Sequence, residues 1–236
     1  MPNIGQHVVV VGGTVGLGRG VAAACREAGC RVTITGRDQT RVTQVAQELG
    51  PQVQGITLDL TNSASLEAAF ARMERIDHLV LAAMERYRNT IREYRVYEAE
   101  RLVRVKLVGY AEAVHRALPR LAPDASIVLF GGIASVHPYP GSTMVTTVNA
   151  GITGLTTTLA AELAPIRVNT ISPGVIGDTP SYAQPNAALA EMLTDMVART
   201  HIGRLGTTAE IVHAVLFLMN NAYVNGIKLT VDGGLH

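Results

Sequence analysis

Residues 7–18 read HVVVVGGTVGLG, and this stretch decides the fold. The β-branched run His7–Val11 is typical of a strand that is buried on both faces of a parallel sheet. Two glycines then allow a sharp turn, and apolar or small residues recur at helical spacing from Gly16 to Ala28. The stretch therefore predicts a strand, a glycine-rich turn and a helix, in that order.

The same alternation of strand and helix continues along the rest of the chain. Parallel strands need crossover connections, and right-handed crossovers place helices on both faces of the sheet. The sequence therefore predicts an α/β fold, a Rossmann-type doubly wound parallel sheet of about seven strands in a single domain over residues 1–236. Ligands of such sheets bind at the carboxyl ends of the strands, and we expect a substrate lid around residues 175–205. Further strands are predicted at 31–35, 53–58, 78–82, 126–130, 167–171 and 227–231, and further helices at 39–49, 63–75, 92–118, 146–163, 187–200 and 208–220.

Composition and charge exclude several classes of protein. Of 236 residues, 47% are hydrophobic and 17% are charged, which supports a sizeable core and excludes disorder. The formal net charge is +1, so we expect neither nucleic acid nor an anionic membrane as a partner. The cysteines Cys25 and Cys30 lack the spacing of a disulfide framework or a zinc site, so we expect no metal and a reducing compartment. We also expect a cytoplasmic protein, because no basic leader or long apolar segment is present.

The glycine-rich turn predicts a site for a dinucleotide. In Gly12–Gly18, glycines let the backbone approach a pyrophosphate closely, and the following helix offers free N–H groups and a positive dipole end. The alternative is a plain strand-to-helix turn. The strand before the loop and the helix after it favour the dinucleotide interpretation.

The end of the second predicted strand indicates which dinucleotide binds. Sites that prefer NAD usually carry an acidic residue there, whereas this chain reads Thr35-Gly36-Arg37. A guanidinium suits a 2′-phosphate because it is permanently charged and donates in a bidentate fork. The sequence therefore predicts NADP(H) as the cofactor. In the alternative interpretation, Arg37 is a solvated loop charge and Asp38 caps the next helix.

With these motifs the chain resembles the short-chain dehydrogenase/reductase family over essentially its whole length. The family's glycine pattern matches Gly12, Gly16 and Gly18, and Asp59 matches the acid that contacts the adenine in the family. The segment 166–174 is similar to the family's sixth strand and to the Pro-Gly turn beside the nicotinamide, and 203–206 and 231–234 are similar to its late segments. The resemblance and the loop chemistry together assign the cofactor to Gly12, Thr14, Gly16, Leu17, Gly18, Arg37, Asp59, Leu60, Ala82, Ala83, Asn149, Pro173 and Gly174.

The chain departs from the family at the catalytic centre. By resemblance, the family's catalytic Tyr position falls on Val145, and its Lys position, four residues later, falls on Asn149. The Ser position falls on or beside Gly132, and the Asn position falls on Lys106. Valine offers neither a proton nor a hydrogen bond, so the family's usual acid/base chemistry does not carry over.

Three other residues are candidates for the catalytic role. Lys106 shares a predicted helix face with small and apolar residues, and a desolvated lysine has a lowered pKa, although a snorkelling lysine fits the same pattern. His137 and Tyr139, in the loop after the fifth predicted strand, can donate protons or can simply line the pocket. Tyr182 and Tyr87 are further candidates for the pocket lining.

These observations leave three functions open. The first is an atypical NADPH-dependent oxidoreductase that acts on a small molecule with a conjugated or polarised double bond. The second is an inactive cofactor-binding sensor or partner subunit, and the third is a non-redox enzyme on the same fold. The resemblance also implies a homo-oligomer, a dimer or a tetramer, built through the predicted helices 92–118 and 146–163.

Overall fold

The computed structural model describes residues 2–85, 87 and 90–236, and these form a parallel sheet with helices on both faces. The sheet has seven strands in the order β3-β2-β1-β4-β5-β6-β7, which confirms the predicted Rossmann-type architecture. The strands are β1 His7–Val11, β2 Arg31–Gly36, β3 Val53–Thr57, β4 Ile76–Leu81, β5 Leu121–Phe130, β6 Arg167–Pro173 and β7 Lys228–Val231. The α-helices are α1 Gly16–Glu27, α2 Gln39–Leu49, α3 Ser63–Ala71, α4 Val96–Val103, α5 Gly109–Ala117, α6 Thr143–Glu162, α7 Ala187–Ala198 and α8 Thr208–Asn220.

The valine run of β1 lies inside the sheet, between β2 and β4. All five residues of β1 are buried, as a strand covered on both faces requires. On one side Val9 pairs with Thr33 of β2, and on the other it pairs with Leu79 of β4. The chain therefore reverses its direction of winding between β1 and β4, and the carboxyl ends of these two strands meet at one edge of the sheet.

Apolar layers cover both faces of this sheet. On one face, α3, α5 and α6 pack against the strands through side chains such as Phe70 and Tyr110. On the other face, α1 and α8 pack through side chains such as Val21 and Val215. No helix in the described part of the chain is both long enough and apolar enough to cross a membrane.

The predicted helix 92–118 differs from the structure. Helical structure continuous with α4 starts only at Val96. Arg95 before it is extended, and its amide and carbonyl are hydrogen-bonded to the Tyr87 hydroxyl at 3.0 and 3.1 Å. Between α4 and α5 the chain forms a π-helical turn, Arg104–Val108, in which the Gly109 amide donates to the Arg104 carbonyl five residues earlier. A 3.6-residue periodicity contains no signal for such a wide turn.

Candidate functional site

The predicted cofactor residues meet at the carboxyl ends of the central strands. The glycine loop follows β1, Arg37 follows β2, and Ala82 and Ala83 follow β4. These three strands are neighbours in the sheet, and the order of strands reverses between β1 and β4. Ligands of doubly wound sheets bind at this kind of reversal.

The glycine loop is packed so closely at Gly12 and Gly18 that a side chain is excluded at these two positions. Gly12 has a φ of +86°, and a Cβ on it would lie 2.6 Å from the Cα of Ala83. A Cβ on Gly18 would overlap the carbonyl oxygen of Gly12 and would lie 3.2 Å from the Cβ of Ala82. The amides of Gly12 and Gly13 both donate to the Thr35 carbonyl, at 3.1 Å each. The loop therefore holds its shape through backbone contacts with the ends of β2 and β4.

The amino end of α1 suits an anion. Val15 precedes the helix in an extended conformation, and no side chain of the described residues caps it. The first turn carries no acidic residue, and a Cβ on Gly16 would meet open space. Free amides at a helix start, together with the positive end of the helix dipole, bind phosphates. The closely packed glycine loop, which we call the glycine cradle, and the open space before α1 therefore fit the pyrophosphate of a dinucleotide.

Two charged residues at the end of β2 have different surroundings. The Asp38 carboxylate accepts a hydrogen bond from the Arg41 amide at 3.0 Å and caps α2. The Arg37 side chain is half exposed, and its Nη1 lies 3.2 Å from Oε2 of Glu85. Thr14 of the glycine loop lies beside this point, because a Cβ on Gly36 would be 3.0 Å from Thr14 Cγ2.

The residues after β3 are held in a local turn. The Oδ1 atom of Asp59 accepts hydrogen bonds from the amide and the hydroxyl of Thr61, both at 2.8 Å. The Asp59 amide donates to Ser65 Oγ at 3.0 Å. Leu60 is buried in the core cluster beneath α5, and Leu17 packs at the edge of the cluster on the other face of the sheet. The predicted contact of Asp59 with the adenine stays a prediction.

Lys106 is fully buried, so the snorkelling interpretation is wrong. Only 2% of its surface is exposed, its Nζ donates to the Phe130 carbonyl, and it lies 3.3 Å from the Tyr110 hydroxyl. The Tyr110 hydroxyl in turn donates to the Ala83 carbonyl at 2.7 Å. Burial lowers the pKa of Lys106 to about 7 and raises the pKa of Tyr110. Sequence reasoning missed Tyr110, although its position four residues after Lys106 places the two on one helix face.

The positions where the resemblance expects the catalytic Tyr and Lys are buried. Asn149, one helical turn after Val145 on α6, is buried, and a Cβ on Gly132 would lie 2.7 Å from its Nδ2. Val145 is packed in an apolar group of buried residues that we call the Val145 cluster, which consists of Tyr87, Ala99, Leu102, Ala134, Val145 and Val148.

The Pro-Gly turn at the end of β6 packs against the last strand. Pro173 is the buried final residue of β6, and the Gly174 amide donates to the Val231 carbonyl at 2.9 Å. A Cβ on Gly174 would lie 2.7 Å from the Cα of Asp232. This turn therefore also needs glycine for a close backbone approach.

A cleft at the ends of β5 and β6 brings three predicted residues together. His137, Tyr139 and Tyr182 line it. Tyr139 also lines a neighbouring open cleft of about 350 Å³, together with Thr90 and other residues. Tyr87 is packed in the Val145 cluster instead, with its hydroxyl bonded to the backbone of Arg95. Lys106 does not line either cleft. The remaining residues of the first cleft are Ile133, Val175, Met192, Met196, Arg199 and Leu235.

The remaining charged groups form an ion pair beside Arg37 and no metal site in the described part of the chain. Among the described residues, no group of three or more His, Cys, Asp or Glu side chains is placed to hold a metal ion. Glu85 and Arg101, which sequence reasoning also missed, lie next to Arg37 and form an ion pair at 3.0 Å. No local sequence pattern indicates this pair, because its members lie in different segments of the chain.

The amino-acid sequence matches one known protein family over most of its length. A family model described as enoyl-(acyl carrier protein) reductase matches residues 12–236. A short-chain dehydrogenase/reductase of an Acremonium species is 30% identical in an alignment 249 residues long that covers 96% of this chain and 94% of that protein.

Two solved structures resemble the chain over nearly its full length. One is a short-chain dehydrogenase/reductase, named as a glucose/ribitol dehydrogenase, from Brucella melitensis. It is 27% identical with a TM-score of 0.92, over 99% of this chain and 98% of that one. The other is a small-chain dehydrogenase in complex with NADPH. It is 28% identical with a TM-score of 0.83, over 98% of both chains.

Proposed function

The chain belongs to the short-chain dehydrogenase/reductase family, whose members use nicotinamide cofactors, and we propose that it is an NADP(H)-dependent oxidoreductase with a non-standard active site. The glycine cradle carries the cofactor part of this proposal, because it leads into an amino end of α1 that has no side-chain cap and has open space at Gly16, where a pyrophosphate would bind. Gly12, Gly16 and Gly18 would hold the pyrophosphate with Thr14 and Leu17. Asp59, Leu60, Ala82 and Ala83 would border the adenosine, and Asn149, Pro173 and Gly174 would border the nicotinamide.

The preference for NADP(H) over NAD(H) rests on Arg37. Its guanidinium is half exposed at the end of β2, where a 2′-phosphate would lie next to the ribose. The nearest carboxylate in sequence, Asp38, is occupied as the cap of α2 and is not presented as an acceptor for ribose hydroxyls. A structural relative was solved with NADPH, which agrees with this preference.

The proposed reaction is hydride transfer, which the nicotinamide would supply when bound. Val145 cannot exchange a proton, so His137 and Tyr139 are the proposed proton donors in the cleft. Lys106 does not line the cleft, and its amino group is held by Phe130 and Tyr110, so we assign it a positioning role for the backbone after β5. A substrate with a conjugated or already polarised double bond fits this site best, because it needs little help from an acid.

A second candidate function is cofactor binding without turnover, as a sensor or a partner subunit. The Val145 cluster favours it, because apolar side chains occupy the place where the family has its acid. Cofactor binding would then be retained while no substrate is converted.

The cofactor proposal predicts a clear preference between nucleotides. A titration that follows nicotinamide fluorescence is convenient because the chain contains no Trp. We expect tight binding of NADPH and weak binding of NADH. Arg37→Gln should weaken NADPH binding by about 10- to 100-fold, the loss of one or two hydrogen bonds to a charged group, with little change for NADH.

The exposed Arg72 at the end of α3 provides the matched control. Arg72→Gln removes the same charge near the amino end of β2, where Glu74 pairs with Arg31, and not at the carboxyl end that Arg37 follows, so it should leave both affinities unchanged. Tighter binding of NADH than of NADPH would contradict the proposed preference. Oxidation of NADPH with enones, imines and ketones separates the two candidate functions, because only the oxidoreductase consumes NADPH.

We also propose that residues 175–205 form the substrate lid and that the protein is a homo-oligomer. Helix α7 lies in the lid range and contributes Met192 and Met196 to the cleft. Tyr97 on α4 and Ile91 just before that helix are 74% and 72% exposed, an apolar surface that a second copy would cover. Light scattering should give the mass of a dimer or a tetramer, and a monomer mass would contradict the assembly.

A further inference from the structure

Three charged side chains from three separate segments meet beside the end of β2. Arg37 follows β2, Glu85 lies after β4, and Arg101 is on α4. Each oxygen of the Glu85 carboxylate faces one arginine. Oε2 lies 3.2 Å from Arg37 Nη1, and Oε1 accepts a hydrogen bond from Arg101 Nε at 3.0 Å. We call these residues the Arg37–Glu85–Arg101 cluster.

In this cluster, the negative charge of Glu85 lies next to Arg37, the residue that the proposed function assigns to the 2′-phosphate. Glu85 is the least exposed of the three, with 23% of its side chain accessible, against 51% for Arg37 and 31% for Arg101. Its hydrogen bond raises the pKa of Arg101, so Arg101 stays charged beside the carboxylate. Exposed ion pairs contribute little to stability, so stability alone gives a weak reason for this arrangement.

A phosphate that approaches Arg37 meets two opposing effects. The Glu85 carboxylate already forms an ion pair with Arg37 and repels a second anion that approaches the same guanidinium. Arg101 holds the other oxygen of the carboxylate and offsets its charge. The availability of Arg37 therefore depends on how strongly Arg101 holds Glu85.

We infer that Glu85 and Arg101 are opposing specificity-determining residues for the cofactor. Glu85 competes with the 2′-phosphate for Arg37, and Arg101 limits this competition. The inference rests on the proposed NADP(H) site. It assigns to the chain a means of setting NADPH affinity that does not touch the affinity for NADH, which lacks the phosphate.

The test measures dissociation constants of NADPH and NADH for four proteins by nicotinamide fluorescence: the unchanged chain, Glu85→Gln, Arg101→Gln and the double variant. We expect Glu85→Gln to tighten NADPH binding by about 3- to 10-fold and Arg101→Gln to weaken it by a similar factor. The double variant should bind NADPH at least as well as the unchanged chain, because Arg101 has nothing to offset once the carboxylate is gone. NADH affinity should stay within about twofold throughout.

The background of Arg37→Gln provides the matched control. There, Glu85→Gln should no longer improve NADPH binding, since the residue for which Glu85 competes is missing. Circular dichroism of each variant checks that the fold is intact.

The other outcomes separate this inference from the proposed function. Weaker NADPH binding by Glu85→Gln would show that the carboxylate orients Arg37 usefully, and it would overturn the inference while leaving the NADP(H) site intact. Equal changes in the dissociation constants of NADPH and NADH would mean that the cluster only shapes the segments after β2 and β4. That result would also overturn the inference. Failure of the unchanged chain to bind either nucleotide would overturn the proposed function and this inference with it.

Discussion

Gly18→Ala should reduce the affinity for nicotinamide nucleotides by more than about 100-fold. The new Cβ would overlap the carbonyl oxygen of Gly12, which is a backbone atom and cannot rotate away. The glycine loop must shift as a whole, and the amides before α1 then lose their alignment on the pyrophosphate. The strain should also lower the free energy of unfolding by about 1–3 kcal/mol, measurable by denaturant titration beside the nucleotide titration.

Gly154→Ala on α6 is the control for this substitution. Nothing in the described part of the chain lies within 4 Å of a Cβ at that position, and alanine favours a helix over glycine by roughly 0.5–1 kcal/mol. This variant should bind nucleotide normally and be slightly more stable. If Gly18→Ala binds NADPH as well as the unchanged chain does, the cradle is not the pyrophosphate site.

Replacing Lys106 with Met should remove a pH dependence of stability. Burial lowers the pKa of Lys106 from 10.5 to about 7 in the folded protein, whereas the unfolded chain keeps the ordinary pKa. Between these two pH values the unfolded state binds the extra proton, so the free energy of unfolding rises with pH by about 1.4 kcal/mol per unit. From pH 7.5 to 9.5, the unchanged chain should gain about 2–3 kcal/mol relative to Lys106→Met.

The comparison cancels other groups that titrate in this range, because both proteins contain them. The second lysine of the chain, Lys228, is partly exposed on β7, and Lys228→Met serves as the control that should follow the unchanged chain. Denaturant unfolding at several pH values gives the measurement. Parallel pH curves for Lys106→Met and the unchanged chain would mean that Lys106 keeps its proton inside the fold, bonded to Phe130 and Tyr110.

Local patterns were enough to predict the fold. The run of valines in β1 indicated a strand buried on both faces, and the glycines after it indicated the turn into α1. Alternation of strand and helix then led to the doubly wound sheet, which the structure confirms. Each of these signals lies within a few consecutive residues, where steric and hydrophobic preferences act directly.

The surroundings of the charged residues could not be predicted in the same way. Lys106 reaches the carbonyl of Phe130, 24 residues further along the chain, and Arg37 meets Glu85 only because β2 and β4 flank β1. Helical spacing showed that Lys106 shares a face with small residues, but it could not show whether the ammonium reaches water. Such contacts depend on the three-dimensional packing of distant segments, for which a single sequence has no periodic signal.

The interior position of β1 also bears on how the chain folds during synthesis. Among the strands of this sheet, β1 is synthesised first, and it becomes an interior strand with β2 on one side and β4 on the other. Residues 31–36 can pair with it early, but its second edge waits until residues 76–81 have emerged. Over that interval of translation, Val8 to Val11 present an unpaired apolar edge, the kind of edge that promotes aggregation. Sheet growth on that side then follows the direction of synthesis, from β4 outward to β7.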